Sequence, residues 1–313
     1  MKITGIFFWL LGCSDDSKSD VHDSGGPDTT SCGAALCVEG DFAEVSSGDQ
    51  DSVCTLDSTG VVRCWAQADV ACVPPAFSGP ALSIVNGGAA CVLLESGLVE
   101  CANLVTGDVV SGSLDGAFTA FDQSGGGQVV CGVDGTSLSC NWDASCGPAQ
   151  PEPEEPVSVV AGADVPNYGC VMEASGTAYC WGNYPTSGCD VYEEETCGCD
   201  PAAPPLSLGP YEQFAPNLCG LMLDGTVECP LSVDPYPIPG AFEQVAGRRR
   251  VVAVSSDGTL AYASFDDSDP SARATPSVGF RRADTGWDLT CGIDMDGALW
   301  CWGARAEGLV ACE

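Results

Sequence analysis

Twenty-one cysteines and 44 acidic residues stand against a single histidine in this 313-residue chain, and that imbalance limits the chemistry open to it. Twelve of the cysteines fall in a recurring block of the form C-x-L-x-x-x-G-x-V-x-C. Its full copies are CTLDSTGVVRC (Cys54 to Cys64), CVLLESGLVEC (Cys91 to Cys101), CVMEASGTAYC (Cys170 to Cys180), CGLMLDGTVEC (Cys219 to Cys229) and CGIDMDGALWC (Cys291 to Cys301). A shorter copy, CGVDGTSLSC, runs from Cys131 to Cys140, and VAVSSDGTLAY (Val252 to Tyr262) keeps the turn but carries Val and Tyr in place of both cysteines. Zinc sites draw on closely spaced Cys and His, and the one histidine, His22, lies outside the repeats. The chemistry expected of these pairs is oxidation to disulfides.

Hairpin geometry explains the spacing. A three-residue loop, Ser58-Thr59-Gly60, with glycine in the left-handed conformation, closes on Asp57 and Val61. Counting outward, Cys54 faces Cys64 at a non-hydrogen-bonded position, where side chains approach closely enough to bridge. In the short copy a two-residue loop, Gly135-Thr136, brings Cys131 and Cys140 to the same register. Leu56 and Val62, Leu93 and Val99, and Ile293 and Leu299 alternate as strands with one packed face require.

A further short segment precedes each hairpin: FAEVSSG from Phe42, ALSIVNG from Ala81, FTAF from Phe118, VSVVAG from Val157, YEQF from Tyr211, FEQVAG from Phe242 and FRRADTG from Phe280. This supplies a third strand per repeat, and Pro- and Gly-containing stretches leave room for a less regular fourth. The turn glycines recur about every 40 residues, the length of a four-stranded propeller blade. An all-β, seven-bladed β-propeller with disulfide-stapled hairpins is therefore expected over residues 36–313. A linear solenoid would need polar capping repeats, which are not evident in the sequence.

The blocks CVMEASGTAYCWG (Cys170 to Gly182) and CGIDMDGALWCWG (Cys291 to Gly303) resemble the regulator of chromosome condensation repeat, in a cysteine-rich bacterial secreted form. The resemblance extends roughly from Val38 to Glu313. It departs from the family in lacking the His that often precedes the first strand, and Trp65 is followed by Ala66 rather than Gly. It implies the seven-bladed fold and does not carry over nuclear exchange-factor activity.

At the N-terminus, Lys2, the apolar run Ile3 to Leu11 and then Leu10-Leu11-Gly12-Cys13 resemble a lipobox, with residues 1–12 as signal peptide and Cys13 as the lipidated residue. An ordinary secretory signal with an incidental Cys is the competing reading. By resemblance to lipoproteins of two-membraned bacteria, Ser14 after that Cys implies the outer membrane. Residues 13–35, rich in Ser, Asp, Gly and Thr, read as an acidic flexible tether. Beyond Cys13 and the six hairpin pairs, Cys32, Cys37, Cys72, Cys146, Cys189, Cys197, Cys199 and Cys312 make an even remainder, as an oxidised, exported protein prefers. Their connectivity is not readable; Cys189 with Cys197 or Cys199 is one option.

A formal net charge of −34 excludes binding to nucleic acid by phosphate neutralisation. Arg248, Arg249 and Arg250 are the candidate partner-binding residues, as a basic patch with Arg273, Arg281, Arg282 and Arg305; the alternative pairs Arg281 and Arg282 with Glu243 or Glu212 and leaves the triple Arg solvated. Asp57, Asp134, Asp224, Asp257 and Asp296 read as turn residues. Asp266, Asp267 and Asp269, or Glu193 to Glu195, are weak calcium candidates without the usual binding loop. No histidine in the repeats supports a nucleophilic triad. The expected function is a monomeric, non-catalytic recognition or scaffold module without cofactor or metal, touching membrane only through its lipid and holding a cell-surface protein or glycan at the bacterial envelope. The alternative is an enzyme cleaving polysaccharide with paired carboxylates in the central channel. Hydrogen exchange tests the stapling: the hairpin Val252 to Tyr262 is expected to open first of the seven, and finding it the best protected would contradict the role given to the disulfides.

Overall fold

All seven repeats form the antiparallel hairpins their sequences imply. The computed structural model describes residues 29–312 apart from 33–34, 49–51, 70–71, 112–113, 115, 125–128, 142–149, 163–167, 183–204, 231–236, 249, 264–274, 287 and 307. Cys54 bonds Cys64, Cys91 bonds Cys101, Cys131 bonds Cys140, Cys170 bonds Cys180, Cys219 bonds Cys229 and Cys291 bonds Cys301. Their Cα atoms lie 3.9 to 4.1 Å apart, the close approach of non-hydrogen-bonded pairs. Gly60, Gly97, Gly135, Gly176, Gly225, Gly258 and Gly297 each take a positive φ near 80° to 90°, as the turns demand.

The inner strands are Phe42–Ser47, Ala81–Asn86, Ala120–Gln123, Pro156–Ala161, Tyr211–Phe214, Phe242–Ala246 and Phe280–Thr285, one to each of blades one to seven. Each pairs antiparallel with the first strand of its hairpin. Outer strands Val109–Ser111, Leu206–Leu208 and Pro237–Ile238 complete blades two, four and five. The core is divided among the blade junctions, in seven apolar clusters among the described residues. Every hairpin disulfide faces the following blade: Cys54 and Cys64 pack with Ala81 and Ile84, and Cys170 and Cys180 with Tyr211 and Phe214. In the sixth blade Val252 and Tyr262 occupy that position against Phe280 and Trp302. The sulphur pairs thus fill core volume as well as cross-linking strands.

A backbone hydrogen bond repeats around the ring. The turn glycine's carbonyl accepts an amide at or just before the start of the next blade's inner strand: Ala81 to Gly60 at 3.0 Å, Phe118 to Gly97 at 2.7 Å, Tyr211 to Gly176 at 2.8 Å, Phe242 to Gly225 at 2.8 Å and Phe280 to Gly258 at 2.9 Å. Phe42 makes the same bond to Gly297 at 3.1 Å, so blade seven joins blade one as five other blades join their successors. At the junction of blades three and four the first position is Pro156, which has no amide to give.

Both chain ends cross the closure. Ala35–Val38 pairs with Leu299–Trp302 of blade seven, and Thr29–Cys32 extends that sheet, so part of the segment expected as tether is strand. Leu309–Ala311 pairs with Val62–Gln67 as the outer strand of blade one, and Cys312 bonds Cys72 there. Leu36 and Val38 meet Phe42, Trp65 and Leu309 in the cluster that seals the ring. Of the cysteines left unassigned by sequence, Cys72 and Cys312 are therefore partners; Cys146, Cys189, Cys197 and Cys199 lie outside the described residues.

The closing turn gives a direct test. A Cβ on Gly297 would sit 3.0 Å from the Gly40 carbonyl, whereas one on Gly135, at a similar φ, meets nothing within 4 Å. Both substitutions to Ala strain the backbone, but Gly297→Ala should cost about 1–2 kcal/mol more than Gly135→Ala in urea unfolding. Equal costs would contradict the closure.

Candidate functional site

The inner strands frame a central cavity of about 250 Å³. Counting Phe42 as position one, the third and fifth residues turn towards the next blade and take up its strand-edge amides. Third-position Glu44 accepts from Ile84 (3.2 Å), Gln213 from Val245 (3.1 Å) and Gln244 from Ala283 (3.1 Å). Fifth-position Ser46 accepts from Asn86 (2.9 Å), Asp122 from Ala161 (2.8 Å) and Asp284 from Ser47 (2.7 Å). Where the fifth residue is Val85, Val160, Ala215 or Ala246, an apolar side chain stands instead. A bulge between positions one and three recurs in blades one, two, four, five, six and seven.

One side chain spans the ring. Arg248, just beyond the sixth inner strand and 5% exposed, donates from Nη2 to Asp122 Oδ1 of blade three at 3.2 Å and from Nη1 to the Gln123 carbonyl, while its amide donates to Thr285 of blade seven. Burial pushes the Asp122 carboxyl up, against the pull of Arg248 and the Ala161 and Gln123 amides. Asp284 is pushed up to about 6, first by burial and also by Asp122, with the Ser47 amide and Arg248 opposing. Burial likewise raises Glu44, opposed by the Ile84 amide and Arg282.

These positions divide the expected arginine patch. Arg248 is interior, Arg250 pairs with Asp288 at 3.2 Å, and Arg249 lies outside the described residues. The run is not solvated as a unit, because Arg248 finds a buried carboxylate. Arg281 lies 3.9 Å from Asp41 and Arg282 acts on Glu44, so both face blade one rather than Glu212 or Glu243. The turn acids cap their loops: Asp57 accepts from Thr59 and Val61, Asp134 from Thr136 and Ser137, Asp224 from Thr226 and Asp257 from Thr259. Hydrogen bonds from Thr136 and Ser137 hold Asp134 down at about 2, and those from the Ser255 hydroxyl and Thr259 do the same for Asp257. In blade seven the capping acid is Asp294, which accepts from Asp296, Ala298 and the Trp300 indole. Asp296 itself follows it in the loop.

A carboxyl near 6 has the proton affinity of a general acid. Yet both Asp284 oxygens accept backbone amides, from Ser47 and Thr285, and Asp122 is committed to Arg248 and Ala161. Among the described residues no three His, Cys, Asp or Glu side chains converge as metal ligands. These bonds join blades.

No protein-family profile matches the sequence, and neither does any curated protein. Solved structures do match in fold. Prp20p of Saccharomyces cerevisiae, the yeast RCC1, aligns with a TM-score of 0.57 over 85% of this chain and 84% of its own, at 11% identity. The fold is an RCC1-like β-propeller. The CRINKLY WD40 ectodomain of the Arabidopsis thaliana receptor kinase ACR4 aligns at 0.55, with 16% identity, over 86% of this chain and 98% of its own. The Physcomitrella patens receptor kinase CR4 ectodomain aligns at 0.54, with 18% identity, over 84% and 74%.

The ring-spanning pair in this RCC1-like propeller predicts an asymmetric mutant cycle. Arg248→Met leaves Asp122 buried without its cation and should cost about 3–5 kcal/mol in urea unfolding, most of it recovered by Arg248→Met with Asp122→Asn. Additive losses would contradict coupling across the channel.

Proposed function

We propose that this chain is a non-catalytic recognition or scaffold module of the bacterial cell envelope, lipid-anchored through Cys13 to the outer membrane and acting as a monomer on a cell-surface protein or glycan. The observation that carries the reading is the channel chemistry. Its carboxylates and Arg248 are spent on joining blades, so the ring offers rigid faces rather than a reacting site. Rigid rings carrying variable loops are suited to recognition. Seven disulfides among the described residues accord with an oxidising compartment outside the cytoplasm.

The fold neighbours agree in kind: two are receptor-kinase ectodomains, and Prp20p is described by its binding to Gsp1p and histones. The signal at residues 1–12, the tether from Cys13 and the cysteine-rich bacterial secreted form of the repeat complete the proposal, with residues 36–313 as its propeller domain. Metabolic labelling with a fatty-acid analogue should mark the full chain and fail on Cys13→Ala, while the purified domain releases no sugar from envelope glycans. Sugar release abolished by Asp284→Asn would overturn the non-catalytic reading, and undiminished labelling of Cys13→Ala would overturn the anchor.

A further inference from the structure

Nine large apolar side chains are exposed among the described residues, and six of them share one face of the ring: Val61, Leu82, Leu98, Val157, Leu223 and Met295. This is the face where the hairpins turn and the inner strands begin. The bond from Ala81 to Gly60 sets Val61 and Leu82 on either side of one junction, and Leu98 follows the glycine that bonds Phe118 at the next. Leu82 and Val157 occupy the bulge position of their inner strands, where an unpaired residue is re-aimed away from the sheet. Leu223, 70% exposed, and Met295 stand in turns of their own.

Acids surround these apolar points. Glu95, Asp134, Glu212, Asp224, Glu243 and Asp257 are exposed on the same face. Its bases are already engaged, Arg281 near Asp41 and Arg63 over the Phe42 ring. Such a field repels nucleic acid, acidic polysaccharide and anionic bilayers, and attracts cations. The exposed large apolar residues described on this face are Leu, Val and Met, which can bury against side chains of a protein.

We propose that the hairpin-turn face is the docking surface for a basic protein that sets Lys or Arg around its own apolar side chains. This rests on the recognition-module reading and deepens it by choosing face and partner class. The apolar points supply contact area and the acids supply orientation and a fast encounter.

Two short synthetic peptides serve as probes, one of Lys and Leu and one of Lys and Ser with equal charge. At about 150 mM salt the full chain should bind the Lys–Leu peptide at least roughly tenfold more tightly. Val61→Ser with Leu82→Ser and Leu98→Ser should erase the difference, and so in part should Leu223→Ser alone, which removes a side chain too exposed to hold the fold. Serine at Val73, Val105 and Val310 should leave it intact. Equal binding of the two peptides, or an equal loss from the second set, would overturn the proposal. A photoreactive residue placed at Leu223 or at Val310 in living cells separates the two readings. Adducts to a basic protein from Leu223 support the docking face; adducts from Val310 alone overturn the face and leave the module; adducts from neither overturn both.

Discussion

Every blade presents its inner strand to the channel as an unpaired edge, and the amides of that edge need hydrogen-bond partners. The ring meets the constraint with its neighbours' side chains. Glu44, Gln213 and Gln244 serve one amide position, and Ser46, Asp122 and Asp284 serve another, always on the following blade. The turn-glycine carbonyl secures the start of the same strand. At five of the seven junctions these side-chain bonds fix one blade against the next, the junction of blade seven with blade one among them.

The disulfides belong to the same logic. Each lies in the apolar layer between its hairpin and the next blade, so its sulphur replaces branched side chains in a chain whose strands are short. Short-loop disulfides contribute roughly 2–3 kcal/mol each by restricting the unfolded chain, and packing adds to this. The sixth blade shows the exchange directly, with Val252 and Tyr262 in the sulphur positions. That blade instead contributes Arg248, whose reach to Asp122 ties it to the opposite side of the ring.

The local parts of this fold were legible. Hairpin register, turn glycines, six disulfides and the count of seven follow from spacing, because each depends on residues close in the chain. A closed ring was expected, but the strands that close it did not show. Ala35–Val38 and Leu309–Ala311 find partners far away in sequence, and a short strand beside a Ser- and Gly-rich segment carries no periodic signal. Arg248 to Arg250 reads as a surface run because arginine is seldom buried unpaired, and its carboxylate lies in another blade. Aligning the seven inner strands offers the missing clue: acids at Glu44, Asp122 and Asp284 fall at positions that are inward-facing in every blade.

The ring's interior charges Asp122, Asp284 and Arg248 hold blades together, and the uneven spread of exposed Val, Leu and Met over its faces gives them different characters. All of this depends on the chain closing into a circle through its two ends. Mass-spectrometric mapping of the oxidised, unreduced protein tests that most directly. The account predicts a peptide joining Cys72 to Cys312, 240 residues apart, alongside six pairs confined to single hairpins; Cys312 bonded elsewhere, or Cys291 bonded outside its own hairpin, would contradict it.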